Sequence, residues 1–371
     1  MIKKIAIHIA IVLAAVAAVV GSIGKFKPEL FMKVPNVGFI LWAITGHPVP
    51  PYVVPDAWDS NIIKSWIRDK DVVVATGPKS GTTWMLYCSH QIRVKGSLEF
   101  NFTDVSCTTP WMDLIQKPGL TWEDQLAMMG TTVIPEENDR PLKDFYDHPA
   151  YPFRIFKSHF TPVEAGGVLP VREFPNVKFV AMARNGMDVV ASLVPFFNQH
   201  TETFREMWGG FPPGSDGDLE KDTEGRLNDL LPGGMLYGLY FDYVKKWWPM
   251  RNEPNVLLLH YADASKDLRG TVLKLAEFYE VDLTAEELNT VTNQCSMQHM
   301  KSISNQFSYS LPLNFEYKGK IMIDGSMTRN GGVGSGKATL NPNQQARWRQ
   351  AEENEFEDER LRNWARHGGD F

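Results

Sequence analysis

Asp71-Val72-Val73-Val74-Ala75-Thr76-Gly77-Pro78-Lys79-Ser80-Gly81-Thr82-Thr83-Trp84 is the stretch on which the reading of this chain turns. Its first six residues are a short β-branched run, as a buried strand would be. A Gly-Pro turn follows, then a helical stretch near Thr83 to Arg93. A glycine-bearing turn that leads into a helix N-terminus presents backbone N–H groups and positive partial charge to an anion. Lys79 adds a full charge, and Ser80, Thr82 and Thr83 add hydroxyl donors, so the segment reads as a phosphate cradle. It differs from the loop of Mg-nucleotide kinases, G-x-x-x-x-G-K-[ST], in which the Lys follows the second Gly. Here Lys79 precedes Gly81, and Thr82 follows it.

Outward from this stretch the chain alternates. Further strands are predicted at Phe153 to Ser158, Val177 to Ala183 and Val256 to Tyr261, with helices near Met187 to Asn198 and Ser265 to Tyr279. Strands alternating with helices imply βαβ units and an α/β fold, a P-loop-like domain with a central, mainly parallel sheet flanked by helices. The Gly-, Pro- and acid-rich stretch from His200 to Gly234 reads as a long surface insertion or lid. The expected division is an apolar N-terminal segment at 1–25, a Pro- and aromatic-rich lead-in at 26–60, and one catalytic domain at 61–371.

Composition narrows the function. Lys+Arg 38 against Asp+Glu 44 in 371 residues gives a net charge of −6. That balance argues against nucleic acid held on a broad basic surface. It leaves room for one small anion gripped by a few gathered cations. The three cysteines, Cys88, Cys107 and Cys295, allow at most one disulfide and lack zinc-ligand spacing, and no metal is expected. Ile5 to Gly24 is a twenty-residue apolar run with Lys3 and Lys4 before it and Lys25, Lys27 and Lys33 after it. As a helix it would be roughly 30 Å long, the thickness of a bilayer core. It reads first as a single-pass transmembrane signal anchor, with a cleaved signal peptide and an apolar helix packed on the domain as the other readings. The balanced flanking charge does not fix orientation.

The loop PKSGTTW after a strand resembles the 5′-phosphosulfate loop of the cytosolic-type sulfotransferases, which use 3′-phosphoadenosine 5′-phosphosulfate (PAPS). Other segments follow in that family's order. Pro110-Trp111-Met112-Asp113 is similar to P-[FW]-x-E, Lys157-Ser158-His159 to K-[TS]-H, and Arg184-Asn185-Gly186-Met187-Asp188 through Ser192 to R-N-x-x-D-x-x-x-S. Leu259-His260-Tyr261-Ala262-Asp263 looks like the Y-E-D segment, Cys295-Ser296-Met297 through Lys301 like T-S-F-x-x-M-K, and Arg329-Asn330-Gly331 through Lys337 like R-K-G-x-x-G-D-W-K. The resemblance spans roughly residues 55 to 365.

The resemblance implies sulfuryl transfer from PAPS, without a metal, to a hydroxyl or amine of a small-molecule acceptor. His159 would be the general base, since imidazole titrates near neutrality. Lys79 would neutralise the departing phosphate, with Lys157 beside the sulfuryl group. Arg184, Ser192, Arg329, Asn330 and Gly331 would hold the 3′-phosphate. Ser80, Gly81, Thr82 and Thr83 would cradle the 5′ end. Trp84 and Tyr261 would flank the adenine, with Ser296 in the adenine-edge segment. For Asp188 a helix N-terminal role is preferred to a ligand role.

The chain departs from the family at several of these positions. Gly77 stands where an aromatic residue is usual, Asn330 replaces a Lys, and Ser335-Gly336 replaces Asp-Trp, which is expected to loosen the closing loop. Cys295 and Met297 replace Thr and Phe. The dimer segment is poorly matched in Asn341-Pro342-Asn343-Gln344-Gln345, which leaves homodimerisation open. Aromatic and apolar residues near Trp111, Phe196, Phe197, Met207 and Trp208 would line a pocket for a lipophilic alcohol. The competing readings are a P-loop-type nucleotide-dependent kinase and a non-catalytic nucleotide-binding relative. Residues 1–25 would attach the enzyme to a membrane, in the Golgi or endoplasmic reticulum.

Overall fold

The computed structural model describes Trp58 and residues 61–371, apart from 118, 119, 211, 213, 216, 315, 316, 318, 330 and 331. The apolar segment, all of the lead-in except Trp58, and two expected nucleotide ligands, Asn330 and Gly331, therefore lie outside the described residues. Among the described residues no helix is long and apolar enough to cross a membrane.

Four strands make one parallel sheet in the order β4-β1-β5-β6: β1 Val72–Ala75, β4 Ile155–Ser158, β5 Lys178–Ala183 and β6 Val256–His260. Each lies inside its predicted stretch. Between them in sequence, β2 (Val133–Ile134) and β3 (Arg140–Pro141) pair as a separate antiparallel ribbon. All four residues of β1 are buried, which is why its Val run does not alternate with polar residues: a parallel sheet is covered on both faces. From β1 the chain returns on one side as β4, then crosses to the other side as β5. Strand order reverses there, and in open α/β sheets the crevice beyond the carboxyl ends at such a point takes the ligand. Each of the four strands ends in a segment singled out by the sequence, at Thr76-Gly77, His159, Arg184 and Tyr261.

Helix α1 (Thr82–Arg93) is buried along its whole length, so it is a core helix with no solvent face. Helix α2 (Gly186–Asn198) follows β5, and its Asn185 cap accepts the Asp188 N–H. The stretch from His200 to Gly234 is not an open lid. It contains α3 (Glu202–Met207) and α4 (Leu219–Leu230), capped by Thr201 and Asp218, and it buries Phe204, Trp208, Leu227 and Leu230. Caps and helically spaced apolar residues override its Gly- and Pro-rich composition.

The single helix predicted over Ser265 to Tyr279 is two, α5 (Tyr261–Lys266) and α6 (Leu268–Phe278). Asp267 separates them, and its carboxylate accepts the Gly270 N–H at 2.8 Å to start the second. Further along run α7 (Met297–Ser302), α8 (Ser335–Thr339) and α9 (Pro342–Glu355).

Candidate active site

A cavity of about 350 Å³ opens at the carboxyl ends of the strands. The β1–α1 loop wraps one end of it. Lys79 takes a left-handed backbone, φ +59°, which costs a non-glycine residue about 1–2 kcal/mol. Its carbonyl oxygen accepts a hydrogen bond from Arg184 Nη1 at 3.0 Å. Gly81 is also left-handed, φ +98°, and a Cβ there would lie 3.1 Å from the Tyr261 ring. The backbone angle favours glycine, and the space around it is tight as well. No side chain caps α1 at Gly81, so the first N–H groups of the helix are left for a ligand at the cavity wall.

Four cations line this cavity: Lys79, Lys157, Arg184 and Arg329. Among the described residues, no carboxylate pairs with Lys79, Lys157 or Arg329. Lys79 Nζ sits 4.2 Å from the centre of the Phe196 ring. Burial, then the nearby charges of Arg184 and Arg329, bring its pKa down to about 7. Lys157 Nζ is held between two aromatic faces, 3.5 Å from the Trp111 ring centre and 3.9 Å from that of Tyr309. Burial pushes its pKa well below the lysine range. Buried cations without counter-charges are costly, and an anionic ligand would relieve that cost.

His159 lies just past the end of β4. Its Nδ1 is 2.8 Å from the Thr76 carbonyl oxygen, so Nδ1 carries the proton and Nε2 has the free lone pair. Burial, followed by the charge on Lys157, lowers the imidazole pKa to about 3. The ring is therefore neutral at physiological pH, as a proton acceptor must be.

The Pro110–Asp113 segment runs along the outer edge of β4: Lys157 N–H donates to the Pro110 carbonyl at 2.9 Å, and Met112 N–H to the Lys157 carbonyl at 3.1 Å. This pairing places Trp111 edge-on to His159, ring centres 5.2 Å apart. It also buries Asp113, whose carboxylate accepts from Trp58 Nε1 at 2.8 Å, the His159 N–H at 2.8 Å and Trp111 Nε1 at 3.1 Å. Asp113 thus fixes both the backbone of the candidate base and the aromatic ring against Lys157.

Arg184 also donates through Nη2 to the Gly332 carbonyl at 2.7 Å, and its planar group lies 4.4 Å from the Tyr261 ring centre. Its Nε faces the buried Asp188 carboxylate, 3.9 Å from Oδ2, so the guanidinium is fixed in place at the cavity wall. Asp188 carries the closing loop: its carboxylate accepts the Gly334 N–H at 2.9 Å and the Gly336 N–H at 2.7 Å. A Cβ at Gly336 would stand 2.3 Å from the Met187 carbonyl carbon. The Ser335-Gly336 departure therefore docks this loop closely on α2, where the sequence suggested loosening. Gly77 has a similar account, because a Cβ there would lie 3.3 Å from the ring of Tyr243, an aromatic group that packs beside the loop from another element.

Most of the predicted site residues converge. Lys79, Gly81, Thr82, Thr83, Trp84, Lys157, His159, Arg184, Ser192, Tyr261 and Arg329 all line the cavity. The hydroxyls of Thr82 and Thr83 are engaged by Thr76 at 2.5 Å and by Tyr309 at 3.0 Å, so their share in holding an anion falls to the backbone. Ser80 is buried with its hydroxyl toward the Pro78 carbonyl and does not reach the cavity wall. Ser296 caps α7 by accepting the His299 N–H, and the neighbouring Met297 faces the cavity in its place. Of the expected pocket aromatics, Trp111, Phe196 and Phe197 line the cavity. Trp208 is core, and Met207 Sδ accepts from Asn314. The sequence reading missed Tyr309, which has a left-handed backbone at φ +57° and no local motif to mark it. It also missed the anchoring role of Asp113 and the presence of His200.

The family model described as "Sulfotransferase domain" matches residues 69–360, and the chain belongs to the sulfotransferase family. It is 28% identical to the amine sulfotransferase of Oryctolagus cuniculus over 292 residues, 79% of this chain and 82% of that protein. It is 29% identical to sulfotransferase 1E1 of Homo sapiens over 257 residues, 69% and 74% of the two chains. The fold is similar to that of retinol dehydratase in complex with androsterone and the inactive cofactor PAP, with a TM-score of 0.56 and 22% identity over 83% of this chain and 86% of that one. It is also similar to mouse sulfotransferase SULT7A1 complexed with PAP, with a TM-score of 0.54 and 18% identity over 82% and 90% of the two chains.

Proposed function

We propose that this sulfotransferase moves the sulfuryl group of PAPS, in line, onto a hydroxyl or amine of a small lipophilic acceptor, with His159 as the base. The observation that carries the reading is the facing of His159 Nε2, proton-free and unpartnered among the described residues, onto a cavity lined by four cations. The residues fit a nucleotide that carries two phosphate groups: the open N-terminus of α1 with Lys79 offers donors to one, and Arg184 and Arg329 offer cations in the same cavity to the other. Bound PAPS supplies a sulfuryl group on a phosphate leaving group. Lys79 meets the charge that develops on that leaving group, and Lys157 sits beside the transferring oxygens. The acceptor O–H bond breaks, its proton passes to His159 Nε2, and the oxygen takes the sulfuryl group. Positioning and electrostatic stabilisation do most of the work, as in phosphoryl transfer. The apolar wall supports a lipophilic acceptor. Transfer of labelled sulfate from PAPS to pooled phenols, sterols and amines, with glycans left unlabelled, is the expected outcome; labelling of glycans alone would overturn the acceptor class.

The lysine at the cradle makes donor binding pH-dependent. Burial and the charges of Arg184 and Arg329 bring the Lys79 pKa down to about 7, and a bound phosphate raises that value by favouring the ammonium. Binding PAP therefore takes up protons. The affinity is full below pH 7 and falls above it, by up to about tenfold per pH unit until the bound-state pKa is reached. Calorimetry in buffers of different ionisation enthalpy reads this uptake directly; no buffer dependence near pH 7.5 would contradict it.

Residues 1–25 are proposed to anchor the enzyme as a single membrane span, on the strength of an uncharged run with bilayer length and lysine flanks. The full chain is expected in the carbonate-resistant membrane fraction, and a chain beginning at residue 26 in the supernatant.

A further inference from the structure

The cavity holds a second imidazole. His200 follows α2, is 8% exposed and lines the same cavity as His159. Its Nδ1 lies 3.0 Å from the Phe196 carbonyl oxygen, which assigns the proton to Nδ1. Nε2 then carries a lone pair and has no hydrogen-bond partner among the described residues. The ring is held firmly, edge-on to Phe196 at 4.7 Å and stacked on Phe204 at 5.7 Å and 29°. Around it the wall is apolar, from Phe197, Ile321 and Met322. The Phe196 ring that packs edge-on against His200 also carries the Lys79 ammonium on its face, so this one ring touches both the imidazole and the cation of the phosphate loop. A rigidly held acceptor atom that opens onto the cavity from an apolar wall loses its access to water when a lipophilic molecule fills the cavity, a cost that is removed when that molecule brings a donor of its own. A neutral imidazole nitrogen of this kind recognises an O–H or N–H and is left unpaired by an ether.

We propose that His200 is a specificity-determining residue whose Nε2 accepts a hydrogen bond from a second hydroxyl of the acceptor, remote from the one that His159 deprotonates. The acceptor class is then a lipophilic molecule with two separated hydroxyls rather than one. This inference rests on the sulfuryl-transfer reading of the site and adds to it a chemical identity for the far end of the acceptor. Sites built to hydrogen-bond a hydroxyl discriminate strongly against analogues that lack it, because the protein group is left buried and unpaired.

The test uses the full chain with PAPS and a series of rigid biphenyl and cycloalkane diols of increasing span, each against its mono-O-methyl ether. At one span the wild-type protein is expected to prefer the diol by about 10- to 100-fold in kcat/KM, mainly through KM. His200→Phe, which keeps the ring packing and removes the lone pair, should bring that ratio close to one. Wild-type ratios near one at every span would overturn the proposal, whether or not the variant folds. So would a diol preference that survives in His200→Phe. PAP binding by the wild-type protein separates the two levels of the argument. Transfer with no diol preference rejects the role of His200 alone, whereas absence of PAP binding rejects the donor reading beneath it.

Discussion

His159→Ala lowers kcat by about 10²- to 10⁴-fold, the usual contribution of a positioned general base, while PAP still binds. The magnitude follows from how completely the ring is prepared for its task. Its Nδ1–H is tied to the Thr76 carbonyl, its backbone N–H to the buried Asp113 carboxylate, and its edge is packed on Trp111. Only Nε2 is free. Burial beside Lys157 favours the neutral ring and holds its pKa near 3, so the acid limb of the free-enzyme kcat/KM profile should not fall at the ordinary histidine value near 6.5. Single-turnover transfer from PAPS, with PAP affinity measured on the same sample, separates loss of the base from loss of the donor site. Full activity in His159→Ala would remove it from the mechanism.

Gly336→Ala is expected to weaken PAP binding by about 10- to 100-fold, the equivalent of the roughly 1–3 kcal/mol that overpacking costs. A Cβ at this position meets the backbone of α2, at 2.3 Å from the Met187 carbonyl carbon and 2.6 Å from the Asp188 nitrogen. Backbone cannot rotate aside as a flexible side chain can. The loop must lift, and the two N–H bonds to Asp188 at Gly334 and Gly336 go with it. Gly332 then stops orienting Arg184 through its carbonyl, and Arg329 is released from the same loop. Thermal stability should fall as well, because Gly336 is buried and the lifted loop leaves the buried Asp188 carboxylate short of two donors, so affinity is compared on protein shown to be folded. Unchanged PAP affinity in this variant would mean that the loop does not close the site.

The sheet was legible because its strands are fully buried. A parallel strand covered on both faces reads as an unbroken apolar run, as Val72 to Ala75 does. The sheet in turn places the site, since chemistry-bearing residues directly after each strand all end at one edge. That is why Lys79, His159, Arg184 and Tyr261 could be named from local motifs. What escaped was set by partners distant in sequence. Asp113 earns its role from Trp58 and His159, fifty-five and forty-six positions away. Tyr309 reaches Lys157 through a backbone twist with no sequence signature. His200 lay in a stretch whose glycines, prolines and acids suggested a solvated loop, yet the capped helix after it presses Phe204 onto its ring. Ser80 and Ser296 show the opposite case: each is the expected residue type in the expected motif, yet one hydroxyl turns toward a turn carbonyl and the other caps a helix. A motif fixes the residue type, whereas the surrounding packing decides which way the side chain points.

Whether the cavity's cations grip a phosphosulfate nucleotide is tested by calorimetric titration of the full chain with PAP. One PAP bound per chain, with proton uptake near neutral pH and a much weaker signal in Arg184→Ala, is the predicted result. No binding heat at any pH between 6 and 8, from a protein shown to be folded, would contradict the account at its centre.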